Sequence, residues 1–563
     1  MNTLDDSPNP GWLSWFLKGL LVLVAVILFA RLGELQIIKG DYYRTLSDDN
    51  RIRRIPILAP RGQILGSDGT PIVGNTPIQE KIIFTTNGFE KSLDTTDTSA
   101  INSITESKRD YYLGPDAAHL TGYLSEVDAD EVNKVDPNCP DKGPRITNSY
   151  VGVSGLEQEY DCTLRGIDGE ELIEVDAAGN PVRVLGIKNP VPGSDIKTTI
   201  NVGLQQKVAD TVNNLKINTS EGENLPVGRK GSIVITNGQG AVLAMYSFPS
   251  FDPNDFINSN SKKLSSYFTD PNLPLFNRSL DGLYHPGSTF KIVTSTAALE
   301  ENKIDTNFTY DDVGYVELNG YKYDNWYWDE YGKTEGPINI VRAIARSTDT
   351  FFYKVGEMVG IDDLSSWAKK FGLDKPSGID LPNEATGIIP SPAWKRQFNG
   401  EKWFLGDTYN VSIGQGDVNL TPVASNILAS VVANDGQICK PYVNASVGKS
   451  CYSLNLNPNT LSTIKEGMID ACSTGGTGFP FFPWNSPDVT GSAQVSGPQV
   501  TVACKTGTAE TGDQNLTHAW FAAFAPADNP KIVIDVIVEK AGQGSEVAAP
   551  IAKEILGYYF GKK

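Results

Sequence analysis

The feature that most constrains this chain lies near its start. Gly11 to Ala30, GWLSWFLKGLLVLVAVILFA, is an apolar run of 20 residues broken only by Lys18. About 20 apolar residues in a helix match the thickness of the hydrocarbon layer of a bilayer, and in lipid only a helix or a closed barrel satisfies the backbone. Residues 11–31 therefore read as a membrane-spanning helix behind a short tail, 1–10. No small-residue cleavage site follows, since RLGELQIIKG continues instead, so an uncleaved anchor is expected, with a removed signal peptide as the alternative. Asp5 and Asp6 precede the span and Arg31 follows it, so positive charge does not assign its orientation.

What lies beyond the span can be placed by its cysteines. All six, at 139, 162, 439, 451, 472 and 504, follow the anchor and none shows CxxC zinc spacing. An even number fits disulfides in an oxidising compartment, with buried thiols as the alternative. Proximity in sequence favours Cys139 with Cys162, Cys439 with Cys451 and Cys472 with Cys504. At 563 residues, 40% hydrophobic and 20% charged, the chain is long enough for several packed domains. Its 48 Lys and Arg against 67 Asp and Glu give a net charge of −19 with no basic run, which excludes nucleic acid as a partner.

From Arg51 to about Pro190 short strand-like runs alternate with turns, and proline and glycine in NPVPGSDIKTTIN, Asn189 to Asn201, mark a boundary. Beyond it GSIVITNGQGAVLAMYS predicts two strands around an Asn-Gly turn. A helical middle follows. Three further strands are expected in VTVACKTG from Val500, in HAWFAAFAP and in KIVIDVIVEK, and AAPIAKEILGYYF has helical spacing. Strands at both ends of a helical insert predict an α+β fold, one antiparallel sheet with an all-helical lobe and a site between them. The Gly-, Ser- and Pro-rich stretch Ser473 to Pro498 holds FPFFPW, read as a surface loop around an aromatic knot, with a substrate lid as the alternative.

Chemistry is carried first by HPGSTFKIV. Ser-x-x-Lys occurs six times, at Ser194, Ser259, Ser288, Ser366, Ser446 and Ser462, so spacing alone selects nothing. With Ser288 at a helix start, Lys291 falls on the same face, and the helix N-terminus favours negative charge on the serine oxygen. Lysine is a base only when neutral, which burial or a nearby cation promotes. CKTGTAE offers that cation in Lys505, on a strand whose alternation sends Lys505 to one face and Thr506 to the other. Gly507 lets an extended peptide approach, and Lys-Thr-Gly occurs once. In ARSTDTFFYKVG, Ser347 and Asp349 sit in a break between helical patterns, where Ser347 could relay a proton.

In that order STFK, STD and KTGT resemble the three active-site motifs of penicillin-binding proteins and serine β-lactamases. PRGQI with GLEQEYDCTLRG is similar to the pedestal of class B penicillin-binding proteins, NVSIGQGDVNLTP to a segment of their transpeptidase domain, and STDTFFY with WFLGDTYN to the elongation branch. The resemblance runs from the anchor to about Tyr559. It implies a penicillin-binding/serine β-lactamase-like transpeptidase domain, 193–563, on a β-rich pedestal of dimerisation type, 32–192, in the cell (inner) membrane with the catalytic domain outside the cytoplasm. The activity implied is D,D-transpeptidation of stem peptides ending in D-Ala-D-Ala. Ser288 is the nucleophile, Lys291 its base and Ser347 a relay, while Lys505, Thr506 and Thr508 hold the terminal carboxylate. The backbone N–H groups of Ser288 and Thr508 form the oxyanion hole. β-Lactams would acylate Ser288. The partner implied is a SEDS-type glycan polymerase of the elongation machinery.

One departure matters physically. The division branch usually has Asn where this chain has Asp349, and a carboxylate there opposes Lys291 as a base. Either Asp349 pairs mainly with another donor, such as Lys505 or the substrate amide, or it sets a shared proton network. Some elongation-type members carry an Asp, His and Cys metal site between the first two motifs. Here Asp311 and Asp324 are present but no His or Cys lies between Ser288 and Ser347, so neither metal nor cofactor is expected. His119, His285 and His518 are scattered and read as structural. The competing readings are a D,D-carboxypeptidase or β-lactamase, a β-lactam sensor, and a scaffold that only activates a polymerase.

Overall fold

The apolar run forms one α-helix, Gly11–Gly33, in which no residue is buried. A helix apolar on every side with nothing packed on it suits lipid rather than a protein core. The computed structural model describes residues 11–85, 88–92, 103–176, 178–218, 224–226, 230–486, 500–513 and 516–562.

By internal packing the chain divides into two units. The smaller comprises Met1–Pro60, Pro77–Lys108 and Gly166–Pro192, the larger Arg61–Thr76, Arg109–Arg165 and Gly193–Lys563. In the smaller unit the strand Gly169–Val175 pairs antiparallel with Ile52–Ile57 on one side and Pro181–Lys188 on the other. Every second residue of Gly169–Val175 is buried. Ile173 and Val175 meet Ile55, Ile82 and Ile104 in a small apolar cluster.

In the larger unit PRGQI and GLEQEYDCTLRG meet. Arg61 lies 2.8 Å from Glu157 and 2.9 Å from Asp161, Arg109 lies 2.7 Å from Glu157, and Arg145 lies 2.5 Å from Asp161. Glu157 is fully buried, and two guanidinium groups share its carboxylate.

The sheet of this unit has five antiparallel strands in the order Val242–Phe248, Gly231–Thr236, Ile532–Val538, Thr517–Ala525, Ala503–Glu510. The expected hairpin and the last two strands are present. The strand expected from Val500 begins at Ala503 and forms a sheet edge. Alternation sorts the two faces. Ala519, Phe521, Ala523 and Ala525 join the helices Val202–Asn214 and Ala548–Phe560 in one core, while Ala522 and Phe524 join the helical lobe in the other. In Ile532–Val538 every residue is buried, which its near-continuous apolar run permits. The exception is Asp535, whose carboxyl burial pushes far above the carboxylate range, leaving it neutral beside the Ser425 hydroxyl at 3.0 Å.

The three disulfides are those expected, Cys139–Cys162, Cys439–Cys451 and Cys472–Cys504, and no described cysteine is free. The aromatic run packs as a knot in part. Phe481 stacks on Phe521 with ring centroids 5.3 Å apart and meets Trp484 edge-on at 5.4 Å. Residues 487–499 of that stretch lie outside the described residues.

Candidate active site

Ser288 does not cap an α-helix. It lies in a 3-10 turn, Gly287–Phe290, and the α-helix begins at Lys291. In a 3-10 turn residues three apart eclipse, so Lys291, next after the turn, falls on the same side as Ser288. Gly287 is required twice over. Its φ is +54°, and a Cβ there would stand 3.0 Å from the Thr508 carbonyl oxygen. The turn thus presses against the sheet edge.

The break expected at Ser347 is real. The helix Ile340–Arg346 ends at Ser347, whose φ of +57° and ψ of 35° place it in the left-handed region, and Asp349–Val359 starts two residues later. A left-handed serine is a strained C-cap that persists where surrounding contacts hold it. Here the contacts are lysines. Lys291 Nζ donates to the Ser347 carbonyl at 2.8 Å and to Ser347 Oγ at 3.3 Å, while Lys505 Nζ donates to Ser347 Oγ at 2.8 Å.

Both lysines are fully buried. Lys291 also donates to Asp349 Oδ1 at 2.6 Å, whereas the remaining acceptor of Lys505 is the Thr506 carbonyl at 2.9 Å. Burial lowers the Lys291 pKa, and the Asp349 carboxylate opposes that. Lys505 is lowered further, by burial and then by Lys291, with weaker opposition from Asp349. Burial thus favours the neutral form of both lysines, and Asp349, in contact with Lys291 alone of the two, favours the proton there. Of the two roles open to Asp349, this geometry is the shared network. Its other oxygen accepts the Trp326 N–H at 3.3 Å.

On the edge strand Lys505 turns to Ser347, while Thr506, Thr508 and Glu510 line the opposite face, as a period of two requires. The Thr508 carbonyl faces Gln415 Nε2 at 3.5 Å, on the side away from the paired strand. A residue's N–H and C=O point the same way in a strand, so the Thr508 N–H also faces the open edge. These groups bound a cleft of about 340 Å³ that Ser288, Ser347, Asp349, Thr506 and Thr508 all line. Five of the expected residues thus face one space, while Gly507 does not line it and Lys291 and Lys505 are fully buried.

Three contributors escaped the sequence reading. Thr477 exchanges a hydrogen bond with Thr506 between hydroxyls 2.7 Å apart and lines the cleft. Its loop follows Cys472, so the disulfide to Cys504 ties it to the edge strand. Tyr353 and Asn325 are the others: Tyr353 lines the cleft, and Asn325 Oδ1 accepts the Asp349 N–H at 3.0 Å. Thr477 and Asn325 lie outside the quoted motifs, whereas Tyr353 closes STDTFFY, where its residue type alone did not mark it as part of the site. Phe479, half exposed, lines the cleft too, so the aromatic stretch contributes a wall as well as a knot. None of the three histidines lines it. His119, packed edge-on to Phe251 at 5.2 Å, is held neutral by burial, which pushes its pKa down to about 3.

A serine turn, a strained Ser-x-Asp corner and a Lys-Thr-Gly edge strand around one cleft define a penicillin-recognising serine acyltransferase. Residues 231–557 match the penicillin binding protein transpeptidase domain, and residues 87–198 match the penicillin-binding protein dimerisation domain. The chain belongs to the class B penicillin-binding proteins, in their elongation-type branch. It is 30% identical to the peptidoglycan D,D-transpeptidase MrdA of Acinetobacter baumannii, across 97% of this chain and 87% of that protein. Among solved structures it is similar to Pseudomonas aeruginosa PBP2 in complex with WCK 5153, with a TM-score of 0.68 and 28% identity over 90% of this chain and 96% of that one. It is also similar to a chain from a peptidoglycan synthase complex that coordinates polymerization and crosslinking, with a TM-score of 0.74 and 26% identity over 97% and 98%.

Proposed function

We propose that this chain is a peptidoglycan D,D-transpeptidase of cell-wall elongation that works through an acyl-enzyme on Ser288. The observation that carries the reading is the Lys291–Ser347–Lys505 relay, buried beneath the cleft that Ser288 lines. In the resting enzyme Asp349 favours the proton on Lys291. A donor carboxylate between Thr506 and Thr508 favours a charged Lys505 instead, and the Ser347 hydroxyl connects the two nitrogens. Donor binding thus moves a proton to Lys505 and leaves Lys291 neutral. Lys291 then takes the Ser288 proton as Oγ attacks the penultimate D-Ala carbonyl. Negative charge develops on the carbonyl oxygen facing the Ser288 and Thr508 N–H groups, donors of a kind that lower such barriers by about 3–4 kcal/mol. The proton returns through Ser347 to the departing D-Ala nitrogen. An amine of a second stem resolves the ester, and Ser288 Oγ recovers its proton.

The anchor helix fits a single-pass protein of the inner membrane, with 193–563 as an extracytoplasmic transpeptidase domain and 32–192 as its pedestal. We assign the partner as a SEDS-type glycan polymerase, supported by the similarity to a chain solved within a synthase complex. Labelling with a fluorescent penicillin tests the chemistry. The protein should label durably, Ser288→Ala should not label, and Lys291→Ala should label about 100-fold more slowly or worse. Rapid loss of label would instead support hydrolysis, and folded protein that does not label would support a scaffold.

A further inference from the structure

Five carboxylates besides Asp349 line the cleft, those of Asp324, Asp329, Glu330, Glu510 and Glu546, and the lining holds no lysine or arginine. Among the described residues none of the five forms an ion pair, whereas Asp349 is paired with Lys291. Tyr353 stands among them. It is 6% exposed, packed edge-on to Tyr323 at 5.7 Å and against Tyr409 at 5.5 Å, and its hydroxyl has no hydrogen-bond partner among the described residues. Buried tyrosine hydroxyls usually find a partner, and this one opens on the cleft instead. After burial, the groups acting most on it are Asp349, Glu510, Asp329 and Asp324, which raise its pKa well above the usual range. Asp329 is raised by burial and then by Asp324, Asp349 and Glu510. Carboxylates crowded around an unsatisfied hydroxyl are a place for a cation.

The other end of the cleft has the opposite character. Thr506 and Thr508 offer hydroxyls there, with Lys505 beneath. Because alternation puts Thr506, Thr508 and Glu510 on one face, the cleft passes along a single strand from an anion-binding pole to an acidic one. Transpeptidation needs two poles, since the donor ends in a carboxylate and the acceptor arrives as an ammonium. We propose that Asp324, Asp329, Glu510 and the Tyr353 hydroxyl form an acceptor subsite, which takes the primary ammonium of the second stem peptide. The proposal rests on Ser288 as the nucleophile. As the new C–N bond forms and the ester C–O bond breaks, the amine proton passes to neutral Lys291 and then to Ser288 Oγ. The proton that made the amine an ammonium leaves earlier, to a carboxylate of the subsite.

The test separates acylation from transfer in the full chain. Acyl-enzyme formed from a thioester donor is offered a stem peptide with a free side-chain amine or hydroxylamine, which is neutral at neutral pH. For the double variant Asp329→Asn/Glu510→Gln, the KM for the stem amine should rise about tenfold, with transfer to hydroxylamine and penicillin acylation within about twofold of wild type. Tyr353→Phe, a smaller change that carries the test if the double variant fails to fold, should raise that KM about threefold. An unchanged KM for the stem amine overturns the subsite, and so does an equal loss with both acceptors. Wild-type protein that penicillin does not label at Ser288 overturns the acyl-enzyme itself, and this result is visible before any acceptor is added.

Discussion

Lys291 and Lys505 are equally buried, yet their company differs, and that difference sets the pH behaviour of the site. Lys291 has a carboxylate at 2.6 Å, while Lys505 has only a hydroxyl and a carbonyl. Burial lowers both, so acylation should rise with pH through an apparent pKa below that of free lysine. Asp349→Asn removes the group that holds the proton on Lys291, so the rising limb should move to lower pH; a pH profile of the penicillin acylation rate checks this. The sign for stability follows from proton binding. The unfolded chain binds protons on these lysines where the native one does not, so stability should rise with pH between the native and unfolded pKa values, with the full penalty below the native ones. Thr477→Ala removes a hydroxyl worth about 1 kcal/mol, so acylation should slow about fivefold while Thr477→Ser stays near wild type. Ser288, Lys291, Ser347 and Lys505 could be singled out in the sequence because the proposed chemistry needs those residue types in short fixed spacings. Thr477 could not, since its role exists only where its loop meets the edge strand, 29 residues away in sequence.

At the scale of elements, the serine turn and the edge strand act together. Gly287→Ala adds a Cβ 3.0 Å from the Thr508 carbonyl at a positive φ, a strain of about 1–2 kcal/mol. It should lower the melting temperature and slow acylation, because relief of the clash moves Ser288 from the strand. The Cys472–Cys504 link spans 32 residues and fastens the Thr477 loop to that strand. Replacing both cysteines by serine should cost roughly 3–4 kcal/mol of stability, read by denaturant unfolding. The strands and the Asn-Gly hairpin were legible because a sheet covered on both faces demands long apolar runs. The 3-10 turn was not, since Pro-Gly-Ser at a helix start fits an N-cap equally well, and only contact with the sheet decides between them.

For the whole molecule, the helix that fits a membrane anchor and the cleft that Ser288 lines lie in separate stretches of chain. A fragment from Gln36 onward should partition into water in a detergent phase separation and still be labelled by penicillin at Ser288. In the larger unit, Glu157→Ala leaves Arg61 and Arg109 without their shared carboxylate, which should cost about 3–5 kcal/mol. A melting curve of that same soluble fragment would show it. By itself the sequence determined a helix long and apolar enough for an anchor, the order of strands and helices and the candidate reacting groups, because hydrophobic length, alternation and residue chemistry act locally along the chain. Only the tertiary structure decided that Asp349 takes Lys291, that Lys505 has no carboxylate against it and that Tyr353 faces carboxylates with no ion pair among the described residues. Each of these depends on burial and on groups far apart in sequence, and electrostatic energy is set by distance in space and by exclusion of water.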